Sequence, residues 1–349
     1  MNHEYYMSRS IELAQMGMGC VAPNPMVGCV IVFDNTIIGE GYHYKYGEAH
    51  AEVNAINSVE NKELLKESVL YVNLEPCAHY GKTPPCVDLI VEHQIPEIVI
   101  GCIDTFSKVS GKGIEKLKQA GCNVRVGILE KQARSLNKRF FTFHEKKRPY
   151  IILKWAQTLD GFIDGLRTDA DPLRPNWISS QASQRLVHKW RTEELAILVG
   201  TRTALNDNPM LTVRLWDGKN PVRILIDRTL RIPRHYHLFD QSVPTIVFTE
   251  KNKLSENNIE YVEIDFSAYI VQQILNELYK RNIQSVIIEG GAATIESFVE
   301  DNLWDEARVI IGNKTFGKGL KAPVLYKNIH SIEKTGEDKL LYYHNTAWY

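Results

Sequence analysis

The segments GEAHAEVNAI (residues 47–56) and LEPCAHYGKTPPC (residues 74–86) place one histidine, one glutamate and two cysteines close together in the sequence. His50, Cys77 and Cys86 offer imidazole and thiolate ligands, and three protein ligands leave the fourth position of a tetrahedral zinc open to water. Bound zinc lowers the pKa of its water toward ~7. Glu52 can then carry protons. The two segments predict a catalytic zinc site that generates hydroxide.

The expected elements around these residues favour metal binding. His50 and Glu52 fall in the first turn of a helix predicted over 49–59, where both side chains reach beyond the helix end. Cys77 follows an apolar strand at 68–75, and Cys86 opens a helix, whose positive N-terminus favours thiolate. The competing interpretation is a structural zinc with His79 or His43 as a fourth ligand.

Composition excludes several classes of protein. The chain has 349 residues, 44% of them apolar and 24% charged, with a formal net charge of −1. This length favours two domains, and the balanced charge offers no field for a nucleic-acid backbone. No segment approaches the ~18 apolar residues of a membrane helix. We therefore expect neither a nucleic acid nor a membrane as a partner.

All six cysteines lie within the first 122 residues, and no signal peptide is recognisable. A disulfide framework is rarely so one-sided, so we expect a reducing cytoplasm with metal binding or catalysis as the use of the clustered cysteines. Cys29 and Cys102 fall in strand patterns and are interpreted as core residues. Cys20 and Cys122 are also interpreted as structural.

Strands alternate with helices along both halves, which predicts an α/β fold with two domains. The charged run Lys146–Arg148 before Pro149 marks the boundary, giving domains at 1–146 and 147–349. In the first half we expect strands at 26–35, 36–43, 68–75, 97–104 and 123–129, and helices at 4–19, 49–59, 84–95 and 113–121. In the second half we expect strands at 150–156, 195–200, 221–227, 244–249, 284–289 and 306–311, and helices at 180–193, 267–281 and 292–301.

The H-x-E and P-C motifs resemble those of zinc-dependent deaminases of the cytidine deaminase superfamily. The long Cys77–Cys86 spacing, with APNPMVGCVIV (22–32) and GEGYHYKYGEAHAE (39–52), is similar to one branch, the bifunctional riboflavin-biosynthesis deaminase/reductases. The resemblance implies a three-layer cytidine-deaminase-like domain acting on a diaminopyrimidinone ribosyl phosphate. It also implies that Glu52 is the proton carrier and that Asn24, His43 and Lys82 contact that substrate.

The second half is similar to the reductase domain of the same family through LKWAQTLDGFI (153–163), LVGTRTALNDNPMLTVR (198–214) and VIIEGGAATIESF (286–298). The resemblance implies a dihydrofolate-reductase-like fold, NADPH as cofactor and a homo-oligomer, dimer or tetramer, formed through this domain. The substrate contacts it implies are Lys154, Arg191, Leu211, Arg214 and Glu289. The cofactor contacts it implies are Ala156, Trp177, Thr203, Asp207, Gly290 and Gly291.

Some positions depart from the family pattern. DTFSKVSGKG (104–113) keeps Asp104, Val109, Gly111 and Gly113 but lacks two prolines, which affects the shape of that loop. Pro175 and Arg228 stand where the family often has serine. Arg228 either pairs with the 2′-phosphate of NADPH or crowds the cofactor.

Three readings therefore compete. The first is a bifunctional riboflavin enzyme, in which the reductase is either active or impaired. The second is a nucleoside or tRNA deaminase with an unrelated tail; a tRNA enzyme would show a basic stripe. The third is a zinc-stabilised binding module that senses a nucleotide, for which Glu52 would have no use. The motifs favour the first.

Overall fold

The computed structural model describes residues 2–80, 84–106, 111–168 and 173–345. The chain divides into two compact units between Lys147 and Arg148. Lys82 and Val109, both singled out in the sequence, lie outside the described residues.

The first unit is built on a five-stranded sheet of order β2-β1-β3-β4-β5. Strand β1 is antiparallel to β2 and β3, whereas β3, β4 and β5 are parallel. The strands are β1 Gly28–Phe33, β2 Thr36–Tyr42, β3 Val69–Leu74, β4 Glu97–Cys102 and β5 Asn123–Val126.

Helices cover both faces of this sheet because side chains of alternate strand residues point to opposite sides. Val30 and Val32 pack with one set of helices, while Cys29 and Ile31 pack with the other. The first set is α1 His3–Gln15, α5 Glu130–Leu136 and α6 Lys138–Lys146; the second is α2 Ala51–Ser58, α3 Cys86–Glu92 and α4 Lys112–Gln119. The expected three-layer arrangement is confirmed.

The second unit contains a nine-stranded sheet of order β11-β10-β9-β8-β12-β6-β13-β16-β15. The first seven strands in this order are parallel, and β16 and β15 add antiparallel pairings at one edge. The strands are β6 Tyr150–Thr158, β8 Ala196–Gly200, β9 Val222–Ile226, β10 Thr245–Thr249, β11 Ile259–Glu263, β12 Ser285–Ile288, β13 Glu306–Gly312, β15 Ile329–Thr335 and β16 Asp338–His344. Strands β7 Phe162–Asp164 and β14 Leu320–Lys321 form a separate pair.

The α-helices of the second unit are α7 Gln181–Glu193, α8 Thr201–Asp207, α9 Ile270–Lys280 and α10 Ala292–Glu300. Two apolar clusters, on opposite faces of the parallel strands, form its core. A mainly parallel sheet with flanking helices is the arrangement expected from the sequence.

Several elements were absent from the prediction. Strands β15 and β16 have sequences IHSIEKT and DKLLYYH, and β15 is exposed along most of its length. An exposed edge strand carries little apolar alternation, so the pattern does not distinguish it from a loop. Strand β11 and helices α5, α6 and α8 were also missed. Helix α6 ends at Lys146, within the charged run that the sequence analysis used to mark the domain boundary.

All six cysteines are free, and Cys29 and Cys102 are fully buried in strands, as predicted. Cys122 is half-buried and Cys20 is exposed. None of the helices in the described ranges is both long enough and apolar enough to cross a membrane.

A buried ion pair anchors the start of the second unit. The Arg148 guanidinium donates from Nη1 and Nη2 to the two Asp305 oxygens at 2.5 and 2.9 Å, and the Ile151 amide donates to Asp305 Oδ2 at 2.9 Å. The Asp305 side chain is fully buried. Removing one charge of such a pair leaves the other buried without compensation.

We expect Asp305→Asn to lower the free energy of unfolding of the second unit by about 3–5 kcal/mol. Urea unfolding followed by tryptophan fluorescence reports mainly on this unit, because five of the six tryptophans lie within Arg148–Ala347. Glu256→Gln, in the exposed pair with Arg234, is the matched control and should cost less than about 1 kcal/mol. Equal losses in the two variants would contradict the role given to Asp305.

Candidate active sites

Three element ends converge in the first unit. His50 is the residue immediately before α2, Cys77 follows β3, and Cys86 is the first residue of α3. His50 Nδ1 lies 3.3 Å from Cys86 Sγ and 3.6 Å from Cys77 Sγ. Zinc bonds of about 2.3 Å to sulfur and 2.0 Å to nitrogen in a tetrahedral arrangement put ligand atoms roughly 3.6 Å apart. The three side chains therefore fit a single zinc ion.

The start of α3 stabilises negative charge on Cys77. The Cys86 backbone N–H donates to Cys77 Sγ at 3.3 Å. A hydrogen bond from the Cys86 thiol lowers the pKa of Cys77 to about 4, and a weaker contribution comes from a hydrogen bond with the His50 ring. Burial opposes this shift. The pKa of Cys86 is raised, first by its interaction with Cys77 and then by burial. A thiolate at this point is ready to bind a cation.

Glu52 is buried in the first turn of α2, with 3% of its surface exposed. Within the described ranges its Oε2 atom has no hydrogen-bond partner. Burial, and then the negative charge of Cys77, raise the pKa of its carboxyl group. A buried carboxylate oxygen without a partner is costly to the fold, so its presence beside the ligand set suits proton transfer to a bound molecule.

Asn24 and His43 form a linked pair next to the ligands. His43 Nδ1 donates to the Ala49 carbonyl at 3.0 Å, so in the neutral ring Nε2 accepts from Asn24 Nδ2 at 3.1 Å. Burial lowers the pKa of His43. The His43 and His50 rings meet edge to face, with centroids 5.3 Å apart.

A fourth protein ligand is not found in the described part of the chain. The group of side chains close enough to share a metal there consists of His50, Cys77 and Cys86. His79 is exposed and outside this group, and both ring nitrogens of His43 already have partners. The arrangement favours an open coordination position over a structural zinc.

Glu75 was not predicted as a site residue, yet it supports the Cys77 turn. Its buried carboxylate accepts backbone N–H groups at 2.9–3.3 Å from Asp104, Gly111, Gly113 and Ile114. A side chain at position 113 would place its Cβ atom 2.3 Å from the Pro76 carbonyl, so this contact requires glycine. The one sequence feature that could have identified Glu75 is its position directly before the Pro76-Cys77 motif.

The second unit holds a cavity of about 450 Å³. Ten of the eleven residues expected to contact substrate or cofactor line it: Lys154, Ala156, Trp177, Arg191, Thr203, Asp207, Leu211, Arg214, Glu289 and Gly291. Gly290 does not line the cavity. It packs against Gly200 and Val199, where a Cβ atom would approach the backbone within 2.7 Å.

Glu289 organises the cationic end of the cavity. Arg191 donates to its two oxygens at 3.1 and 2.8 Å, and Lys154 Nζ lies 3.7 Å away. Burial alone would raise the pKa of Glu289, but Arg191 and Lys154 outweigh it and lower that pKa to about 2. Burial lowers the pKa of Lys154, and Glu289 opposes that shift.

The other expected contacts are held by local hydrogen bonds. Thr203 Oγ1 accepts from the Gly291 amide at 2.7 Å, at the start of α10. Asp207 accepts from Arg167 at 2.8 Å, and Arg167 also pairs with Asp164 at 2.6 Å. Arg167 was not predicted, because only the fold brings it to Asp207.

Leu211 adopts a φ of 54° and is buried at the cavity wall. This left-handed conformation is rare for leucine, and such strain is concentrated at functional sites. Trp177 is 54% exposed. Of the two departures from the family pattern, Pro175 lines the cavity, whereas Arg228 is exposed and donates to Glu250 at 2.6 Å.

Comparisons with known proteins agree with this geometry. The family model described as "Cytidine and deoxycytidylate deaminase zinc-binding region" matches residues 1–102, and the one described as "RibD C-terminal domain" matches residues 149–337. The riboflavin biosynthesis protein RibD of Aquifex aeolicus is 40% identical over 95% of this chain and 92% of its own length. The chain belongs to the RibD family.

Other members of the RibD family are similar over most of their length. The RibD protein of Escherichia coli K12 is 35% identical over 91% of this chain and 89% of its own. A crystal structure of a deaminase/reductase from Thermotoga maritima has a TM-score of 0.88 and 38% identity, and covers 98% of both chains. One form of Acinetobacter baumannii RibD also has a TM-score of 0.88, with 32% identity.

Both halves of the RibD family are present in this chain: a zinc-binding deaminase domain and an NADPH-using reductase domain of riboflavin biosynthesis. The reading of the second half as an unrelated tail is therefore wrong, since it matches the RibD reductase domain. The cationic cavity belongs to that reductase half.

We expect the charge of Glu289 to make stability depend on pH in acid. Its pKa is about 2 in the folded protein and ~4.3 when unfolded, so the unfolded state takes up a proton between these values. The stabilisation is complete above pH ~4.3 and is lost as pH falls toward 2. Glu289→Gln should flatten this dependence in urea titrations of tryptophan fluorescence, whereas Glu296→Gln, at an exposed site on α10, should not. Parallel curves for wild type and Glu289→Gln would contradict this assignment.

Proposed function

We propose that residues 1–146 deaminate 2,5-diamino-6-ribosylamino-4(3H)-pyrimidinone 5′-phosphate and that residues 147–349 reduce the ribosyl chain of the product to ribityl. The observation that best supports the deaminase is the group of His50, Cys77 and Cys86 beside Glu52, whose Oε2 atom has no hydrogen-bond partner in the described ranges. His50, Cys77 and Cys86 would hold zinc, and the metal would supply a Lewis acid that lowers the pKa of a water toward ~7.

In the deaminase half, Glu52 moves the proton. Its carboxylate takes one proton from the attacking water and passes it to the neighbouring ring nitrogen as the C–O bond forms. It then moves the remaining hydroxyl proton to the amine, so that the C–N bond breaks, ammonia leaves and a ring carbonyl forms. Its raised pKa brings it closer to working pH, which suits a group that must both accept and release a proton. Asn24 and His43, linked by a hydrogen bond, orient the pyrimidine ring; we assign Lys82 to the substrate on resemblance alone.

In the reductase half, NADPH supplies a hydride. We assign Lys154, Arg191, Leu211, Arg214 and Glu289 to the substrate, and Ala156, Trp177, Thr203, Asp207, Gly290 and Gly291 to the cofactor. Their common cavity and its cationic end support this division. The exposed position of Arg228 supports an active reductase over an impaired one, because Arg228 is paired with Glu250 and does not line the cavity.

We also propose a homo-oligomer, dimer or tetramer, formed through the reductase half in the cytoplasm. Strand β15 lies at one edge of the nine-stranded sheet, where exposed Ile329 and Ile332 favour pairing with a second copy. The six free thiols favour a reducing compartment.

Glu52→Gln should lower the rate of ammonia release by at least about 100-fold while one zinc per chain stays bound. The amide keeps the size of the side chain but does not accept the proton. Ammonia release and zinc content by atomic absorption are measured on the same sample. Cys86→Ala is the comparison and should lose the zinc as well as the activity. Loss of zinc from Glu52→Gln would mean that Glu52 acts through the metal site and not as the proton carrier.

The whole reaction can be followed in one vessel. Wild-type protein with zinc and the diaminopyrimidinone substrate should release one ammonia per substrate, and added NADPH should then be consumed in equal amount at 340 nm. Glu52→Gln should still oxidise NADPH when it is given the deaminated intermediate, since the reductase does not need Glu52. Ammonia release by the wild type without NADPH oxidation would leave the deaminase and exclude the active reductase.

A further inference from the structure

His188 is a buried residue of the reductase cavity with no role in the assignments above. It lies on α7, three residues before Arg191, so the two side chains share one face of the helix. It is 5% exposed and lines the cavity. Its position next to the cationic cluster raises the question of what the imidazole does there.

The hydrogen bond to His188 fixes the position of its proton. The Arg214 backbone N–H lies 2.9 Å from His188 Nδ1, and a backbone amide can only donate. Nδ1 therefore carries no proton, and the neutral ring carries its proton on Nε2. Among the described residues, Nε2 has no hydrogen-bond partner, so its N–H is available to a molecule in the cavity.

The ring stays neutral because of its neighbours. Burial, then the guanidinium groups of Arg191 and Arg214, lower the pKa of His188 to about 4; Lys154 adds to this shift and Glu289 opposes it. His188 is therefore a neutral donor at physiological pH, held in one tautomer by the segment that carries Arg214.

The surrounding charges indicate an anionic ligand. Arg191 and Lys154 share the single carboxylate of Glu289, whereas Arg214 has no carboxylate partner among the described residues. Arg214 Nη1 donates to Thr212 Oγ1 at 3.0 Å, and Arg214 lines the same cavity as His188. This end of the cavity has more positive than negative groups, and a phosphate dianion matches both the charge and the donors.

We infer that His188 donates a hydrogen bond from Nε2–H to the phosphate of the reductase substrate, beside the guanidinium of Arg214. The inference rests on the proposed reductase function. It makes His188 a binding residue with two contacts: Nδ1 accepts from the main chain at Arg214, and Nε2 donates to the ligand. The neutral donor adds affinity for phosphate without adding another buried positive charge.

Two substitutions separate the two contacts of the ring. Asparagine at position 188 can accept from the Arg214 amide as Nδ1 does, but it has no donor at the position of Nε2. Glutamine reaches further and places an N–H group near that position. We expect His188→Asn to raise the KM for the deaminated ribosyl phosphate about tenfold or more, the usual effect of losing a hydrogen bond to a charged group. We expect His188→Gln to recover most of the loss.

Steady-state NADPH oxidation, started with the deaminated intermediate, measures these constants. The KM for NADPH and kcat should change less than about twofold, and the melting temperature should stay that of the wild type. A rise in the KM for NADPH would place the phosphate on the cofactor and overturn the inference. A fall in kcat or melting temperature with an unchanged substrate KM would show a structural role and also overturn it.

A binding measurement keeps the test independent of turnover. In protein labelled with ¹⁵N-histidine, the Nε2 signal of His188, identified by its absence from His188→Asn, should shift when inorganic phosphate is added. No shift at saturating phosphate would overturn the inference, even if the reductase is active. A clear shift in a protein that does not oxidise NADPH would support phosphate binding at His188 while the proposed reductase function fails.

Discussion

Two helix N-termini meet the end of strand β3, and the metal centre depends on that meeting. His50 precedes α2, Cys86 begins α3, and Cys77 follows the strand between them. The amide groups at a helix start favour negative charge, which is what a thiolate–metal site needs. Each helix is held in place by its apolar face: Ala55 and Ile56 on α2 and Val87 and Ile90 on α3 join the same buried cluster. The core on that side of the sheet therefore sets the ligand distances.

In the second unit, a single carboxylate holds the charged side chains of the cavity in place. Glu289 is buried and forms ion pairs with both Arg191 and Lys154, which offsets the free-energy cost of burying these two cations. Elsewhere in the same cavity, Arg167 forms ion pairs with the two carboxylates of Asp164 and Asp207. Arg214 is left without a carboxylate among the described residues. Charge pairing thus determines which cation is available to an anionic ligand.

Elements with a strong local pattern in the sequence agree with the prediction, and elements with a weak one do not. Buried strands such as β3 and β12 are continuous apolar runs and were predicted near their observed bounds. The edge strand β15 was missed because residues on both of its sides are exposed, so its sequence lacks the alternation on which the prediction depends. The neighbouring strand β16 was missed because its sequence DKLLYYH does not alternate either. Glu75 and Arg167 were missed for a different reason. Their partners lie about 30–40 positions away in sequence, and a local pattern contains no information on such pairs.

The sequence by itself determined the chemistry of the metal site: which side chains can bind zinc, which carboxylate accompanies them, and that they stand at helix starts and a strand end. These properties belong to residue types and to short-range spacing. Only the tertiary structure decided the tautomer of His188, the sharing of Glu289 and the partners of Arg167. Hydrogen bonds and charges act over a few ångströms in space, and the fold alone brings residues from distant parts of the chain within that range.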